Sequence, residues 1–258
     1  IILDGYLVKI EMKISNHTIL ITGGTSGIGL ELVKKFYSQN SLVVVSKSDS
    51  NLKELKSKYP KIQILKCDLS DINQVKDLIK TCNKDFPKIN ILVNNAGIEL
   101  NYDFENSIEV FDKILEEINV NFTSPILLTA GLISLLKKNN ESAIINVSSG
   151  LIYGHKKNAV IYTATKSAIH GATISLREQL KDSSIKVFEL IPPLTNTPLT
   201  KNNPHKKLST QKLVDEFLKK FENDEFEINI GIIKYLKFIQ SLFPNLTKKI
   251  IIRRNSKT

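Results

Sequence analysis

Residues 18–29 read Thr18-Ile19-Leu20-Ile21-Thr22-Gly23-Gly24-Thr25-Ser26-Gly27-Ile28-Gly29. A five-residue β-branched and apolar run ends in a glycine-rich loop. A stretch with helical periodicity follows it, near 27–39. Glycines let a backbone turn tightly and approach a pyrophosphate closely, and the next helix offers unpaired N–H groups and the positive end of its dipole. A loop placed between a strand and a helix therefore reads as a dinucleotide site.

Outward from that loop the same alternation continues. Strands are expected at 18–22, 42–45, 62–66, 90–93, 143–148, 185–190 and 227–230. Helices are expected near 27–39, 50–58, 71–85, 106–118, 124–138, 161–181 and 209–221. The early strands are continuous apolar runs, as expected where helices cover both faces of a sheet. Strand–helix alternation gives βαβ units with right-handed crossovers. The expected fold is α/β: a single-domain Rossmann fold with a doubly wound parallel sheet of about seven strands.

Composition narrows the function classes. The 258 residues are 41% hydrophobic and 24% charged, which excludes a disordered chain. Cys67 and Cys82 are too few for a disulfide framework and lack metal-site spacing, so two reduced thiols, a cytoplasmic protein and no metal are expected. No apolar run approaches the roughly 20 residues of a membrane span. The expected division is an N-terminal extension at 1–15, a catalytic dinucleotide domain at 16–231, and a basic amphipathic segment at 232–258. Residues 1–11 precede Met12 and are set apart from the functional argument as an extension or a strand-like flap.

The net charge of +10 is uneven, because residues 200–258 hold 13 Lys/Arg against 6 Asp/Glu. In the last segment Ile232, Leu236, Ile239 and Phe243 recur at helical spacing. That suits a helix packed on the domain or on a partner. A peripheral membrane contact through the basic end is the sharper alternative. Nucleic acid is not expected as a partner, since neither a stacking cluster nor a recognition motif accompanies the charge.

Chemistry is concentrated in a few positions. Tyr162 and Lys166 are four apart and share a helix face. An ammonium beside a phenol favours the phenolate and lowers a pKa that is ordinarily near ~10, which would make Tyr162 a usable acid/base. Ser149 follows an apolar strand thirteen residues earlier and can hold a reacting oxygen, while its neighbour Ser148 points to the opposite face. At the end of the second strand stand Ser46 and Lys47, where an acid would select NAD. A hydroxyl and a cation suit a 2′-phosphate.

These residues together resemble the short-chain dehydrogenase/reductase family. The loop Thr22-Gly23-x3-Gly27-x-Gly29 is similar to its TGxxxGxG. Asn94-Asn95-Ala96-Gly97 is similar to its NNAG, and Tyr162-x3-Lys166 to its YxxxK. The resemblance covers about residues 16–200. It implies catalysis by Asn121, Ser149, Tyr162 and Lys166, with Asn121 holding a water in a proton relay. It implies cofactor contacts from Gly23, Thr25, Ser26, Gly27, Ile28, Gly29, Ser46, Lys47, Asp68, Leu69, Asn95, Ala96 and Gly97. Tyr162, Lys166, Pro192, Thr195 and Thr197 complete that set, with Asp68-Leu69 at the adenine.

The activity so implied is hydride transfer between a nicotinamide and a carbonyl or alcohol carbon. NADP(H) is preferred, NAD(H) is the alternative, and the substrate is a small molecule. A homodimer or homotetramer is implied by the resemblance alone. Pro192-Pro193 departs from the family's Pro-Gly and is expected to stiffen or shift the loop over the nicotinamide. IPPLTNTPL with the late EINIG and KYLKFIQ segments resembles the DltE-like oxidoreductase subgroup. Two other classes remain: a non-catalytic dinucleotide-binding regulator, and a sugar-nucleotide epimerase-type enzyme. The loop spacing argues against the epimerase.

Overall fold

A computed structural model describes residues 2–3, 6–7, 12–102, 104 and 110–242. Seven parallel strands form its central sheet: β1 (Thr18–Thr22), β2 (Ser41–Ser46), β3 (Gln63–Lys66), β4 (Ile91–Asn94), β5 (Ser142–Val147), β6 (Ile185–Ile191) and β7 (Glu227–Asn229). Their order is β3-β2-β1-β4-β5-β6-β7. Every pairing is parallel, as in Ile19 opposite Ile91 and Val43 opposite Gln63. The chain reverses direction across the sheet between β1 and β4. In such sheets ligands bind in the crevice beyond the strand ends at that switch point.

The period-2 alternation of the strands feeds two cores. Ile19, Ile21, Val44, Ile91 and Val93 face one side. There they meet α1 (Gly27–Phe36), α2 (Asp49–Lys58) and α7 (Thr210–Glu222) through Phe36, Leu52 and Phe217. Leu20, Val43, Val45, Leu92 and Ile144 face the other side. They pack on α3 (Ile72–Asp85) and α5 (Ser124–Leu136) through Leu78, Leu128 and Leu132. With both faces covered, both sets of side chains must be apolar, hence the unbroken runs. Helix starts follow their caps: Ser48 accepts from Asn51 N–H, Asp71 from Asn73 N–H, and Ser209 from Lys212 N–H.

The expected strands and helices are found, with ends displaced by no more than three residues. The exception is the helix expected at 106–118. It is described from Phe111 as α4 (Phe111–Ile118), and residues 105–109 lie outside the described residues. A π-helical turn, Asn119–Thr123, joins α4 to α5. Phe111–Leu136 is thereby continuous for 26 residues and apolar enough to match a membrane span, which the run lengths had not suggested. Leu128, Leu132, Leu135 and Leu136 pack into the core beneath the sheet, whereas Phe111 and Leu115 are exposed.

At the amino end, Ile2–Leu3 and Tyr6–Leu7 pair antiparallel, and Met12 is already buried in the main core. At the carboxyl end, α8 (Ile233–Leu242) packs Ile233 and Leu236 against Tyr153 and Ile191. Of the expected stripe Leu236 is buried and Ile239 half-buried, but Ile233 takes the place of Ile232, which is exposed, and Phe243 lies outside the described residues.

Candidate active site

Three elements bring the four expected catalytic residues to the carboxyl ends of β4 and β5. Ser149 follows β5 and caps a 3-10 turn, its Oγ accepting from Leu151 N–H at 3.2 Å. Tyr162 and Lys166 lie on one face of α6 (Val160–Gln179), both buried. Lys166 Nζ donates to Val147 O at 2.8 Å and lies 5.7 Å from the Tyr162 ring centroid. Asn121 sits in the π turn, a distortion common at functional sites. Its Oδ1 accepts from Ile98 N–H at 2.9 Å, and its Nδ2 donates to Ile98 O at 2.8 Å. Asn121 Oδ1 and Lys166 Nζ converge over Gly97, each 3.3 Å from where a Cβ on that glycine would lie.

The electrostatics differ from the expectation that Lys166 lowers the Tyr162 pKa. Burial pushes the phenol above its ordinary value, Glu99 and Glu117 add to the rise, and the Ser149 side chain opposes it. The ammonium is directed at Val147 O rather than at the phenol. Burial pushes Lys166 itself down to about 8, against the pull of Glu117 and Glu189. The phenol is therefore neutral at neutral pH and stands as a proton donor.

The glycine loop is pinned from below. Thr22 Oγ1 accepts from Asn95 N–H at 3.0 Å and from Ala96 N–H at 3.1 Å, and Asn95 Nδ2 donates to Thr22 O at 2.9 Å and Gly23 O at 3.2 Å. Gly23 has a φ of 66°, and a Cβ there would lie 2.9 Å from Ala96 Cα. Only glycine satisfies both constraints.

A cavity of about 400 Å³ opens above this loop. It is lined by Gly23, Thr25, Ser26, Gly27, Ile28, Ser46, Lys47, Asp68, Leu69, Asn95, Ala96, Gly97, Tyr162, Lys166, Pro192 and Thr197. Gly29 and Thr195 are placed elsewhere. Gly29 is packed beneath the loop, where a Cβ would fall 2.3 Å from Gly23 O. Thr195 lines a second cavity. The loop, the α1 N-terminus and the Ser26 side chain, which makes no capping bond, fit a dinucleotide. So does Ser148, which borders the cavity with a buried hydroxyl lacking a partner.

Lys47 is not an isolated cation. Its Nζ lies 2.7 Å from Asp68 Oδ2 and 3.9 Å from Glu116 Oε1. The Asp68 hydrogen bond raises the Lys47 pKa. Partial burial pushes Asp68 up, but hydrogen bonds from Lys47 and Ser70 outweigh it and hold the carboxyl below its usual range. Ser46 Oγ is 3.1 Å from Thr25 Oγ1, which ties β2 to the glycine loop.

The second cavity, about 690 Å³, shares Ile28, Tyr162, Pro192, Thr197 and Leu199 with the first. Ser149 also borders it, so Tyr162 stands where the two meet. The Pro192-Pro193 segment is accommodated without a cis peptide: Pro192 O accepts from Gly150 N–H at 3.0 Å, and Pro193 O from Thr195 Oγ1 at 2.7 Å.

Glu117 has no counterpart in the sequence reading. It lies one turn before Asn121, wholly buried, with Oε2 accepting from Tyr102 Oη at 2.6 Å and Oε1 from Leu100 N–H at 3.3 Å. Burial pushes its carboxyl up. Glu117 and Asn121 together fasten segment 98–102 beside Lys166. A lone acid in an amphipathic helix looks like any solvated residue, so only its three-dimensional surroundings mark it out. Cys67 and Cys82 are buried and unlinked, with burial pushing them up to about 11 and about 12.

Comparison with known proteins gives four findings. Residues 17–208 match the family described as short chain dehydrogenase. The uncharacterized oxidoreductase DltE of Bacillus subtilis is 37% identical over 224 residues, covering 84% of this chain and 89% of that protein. Among solved structures, a short chain dehydrogenase from Burkholderia cenocepacia in complex with NADP superposes with a TM-score of 0.80 at 20% identity, covering 91% of this chain and 97% of that one. A second, from Burkholderia phymatum in complex with NAD, gives 0.79 at 17% identity, with 92% and 97% covered.

Proposed function

The chain belongs to the short chain dehydrogenase family, and from that premise we propose that it is an NADP(H)-dependent reductase of carbonyl compounds. The observation that carries this reading is the convergence of Ser149, Tyr162 and Lys166 where the loop cavity meets the larger cavity. The glycine loop and the α1 N-terminus would hold the diphosphate of the dinucleotide, and Lys166 its ribose. When bound, the dinucleotide supplies the hydride.

The protein supplies position and the proton. Ser149 Oγ holds the substrate oxygen, and the neutral Tyr162 phenol donates its proton to that oxygen as charge develops there. Lys166 Nζ, 5.7 Å from the Tyr162 ring centroid and held by Val147 O, supplies positive charge on that side of the site. Asn121 holds segment 98–102 through Ile98 and faces the Lys166 amine across Gly97. The protonated phenol is the form that the reduction direction uses.

Ser46 and Lys47 at the end of β2, with no acid at that point, support NADP(H) over NAD(H). The Lys47–Asp68 pair competes with a 2′-phosphate for the cation. Lys47 is 67% exposed, and exposed pairs are worth only ~0–1 kcal/mol, so a phosphate can take Asp68's place. The test is a fluorescence titration with NADPH and NADH in parallel, followed by NADPH oxidation with a panel of ketones and aldehydes. Tighter NADPH binding and turnover of a carbonyl are expected. Tighter NADH binding overturns the cofactor assignment, and binding without turnover of any carbonyl favours the regulator reading.

A further inference from the structure

The larger cavity is not a uniformly apolar pocket. Its roof is the excursion Leu199–Leu208, closed by Leu208 N–H to Leu194 O at 2.9 Å and by Asn196 N–H to Leu208 O at 2.8 Å. Lys207 Nζ donates to Lys201 O at 3.1 Å and braces the excursion across its width. Between residues 190 and 214 the sequence has no Asp or Glu, yet it carries Lys201, Lys206, Lys207 and Lys212. Lys206 and Lys207 line the cavity.

Among the described residues, the one acid in the cavity wall is Glu99, and it is ion-paired with Lys156, both largely buried. That pair cancels itself. The charge of Lys206 and Lys207 has no acidic counterpart in the wall. The rest is largely apolar, with Leu151, Leu194, Ile233 and Leu236 along it. A cleft with low-dielectric walls and one sign of charge concentrates ligands of the opposite sign.

We propose that the substrate is an anionic amphiphile: a carbonyl compound with an aliphatic body on the apolar wall and a terminal carboxylate or phosphate met by Lys206 and Lys207. This rests on the reductase reading and adds the substrate class. The carbonyl π bond breaks and its carbon takes the hydride of the reduced nicotinamide, which is thereby oxidised. The oxygen takes the Tyr162 proton, which solvent replaces, and the product is the corresponding hydroxy acid or hydroxyalkyl phosphate. A cavity of this volume is in the range that encloses a drug-sized ligand, so the two ends of such a molecule can be read together.

The test uses the full chain saturated with NADP and three matched probes: 6-oxohexanoate, its methyl ester and 6-oxohexyl phosphate. Calorimetry should show one or both anions binding about tenfold tighter than the ester, in keeping with a charged hydrogen bond. That advantage should shrink between 50 and 500 mM salt and in the K206Q/K207Q variant. Comparison of the two anions ranks carboxylate against phosphate. Equal or tighter binding of the ester, an anion advantage that survives in the variant, or binding of none of the three overturns the inference. NADPH oxidation separates it from the reading beneath it. Anion-selective binding with no turnover sinks the reductase reading and leaves the anion site. Turnover of all three at equal KM does the reverse.

Discussion

Gly29→Ala tests whether the loop geometry is what holds the cofactor. The added Cβ would lie 2.3 Å from Gly23 O and 2.4 Å from Asn95 Nδ2. Ordinary contact begins near 3.4 Å, so the loop must move by about 1 Å. Neither neighbour can simply rotate away: one is backbone, and the other is fixed by its bonds to Thr22 O and Gly23 O. Overpacking of this kind costs ~1–3 kcal/mol. For a chain of this size that is a fall in Tm of roughly 3–10 °C. A displacement near 1 Å at a positioning loop also costs ~10–100-fold in function, here read as NADPH Kd.

Gly171→Ala is the control. It lies in α6 with nothing within 4 Å of the new Cβ, so Tm should hold or rise, by about 0.5–1 kcal/mol in stability, with NADPH affinity unchanged. Differential scanning fluorimetry and the NADPH titration read both variants. A Gly29→Ala protein with the parent's Tm refutes the packing argument. A lowered Tm with unchanged NADPH affinity refutes the placement of the cofactor on this loop.

Lys47→Ala should raise the NADPH Kd by roughly fivefold to tenfold and leave NADH nearly unchanged, read by the same titration; equal losses for both cofactors would remove Lys47 from the 2′-phosphate. The rate of carbonyl reduction should fall as pH rises through about 8, where Lys166 loses its charge. Glu117→Gln should move that fall to lower pH, because the Glu117 carboxylate helps keep Lys166 protonated; an unshifted pH–rate profile would leave Glu117 a purely structural residue. His170 bonds the buried Glu189 carboxylate at 2.8 Å, and that bond raises its pKa. Its stabilising contribution is full below about 6.5 and is lost as pH rises through the higher folded value. The Tm gap between the parent and His170→Gln should therefore be wider at pH 6 than at pH 9.

The sheet was legible because its physics is local. Leu42-Val43-Val44-Val45 is an unbroken β-branched and apolar run, and such a run between helical patterns reads as a strand covered on both faces. The site was legible where chemistry demands fixed spacing, as between Tyr162 and Lys166. The sense of the Tyr162 shift was not, because it depends on burial and on where the Lys166 amine points, both set by tertiary packing. Glu117, the π turn and the Lys47–Asp68 pair are likewise contacts between distant segments. At the start of α8 the expected Ile232 is replaced by Ile233, because both are apolar and only packing on Gly150 and Tyr153 selects Ile233.

The central claim is that Tyr162 delivers the proton in a nicotinamide-dependent reduction. The most direct measurement is single-turnover NADPH oxidation by the Tyr162→Phe protein, alongside its NADPH Kd. The account predicts a rate lowered by ~10²–10⁴-fold with the Kd within about threefold of the parent. A variant that still reduces the substrate at close to the parent's rate would contradict it.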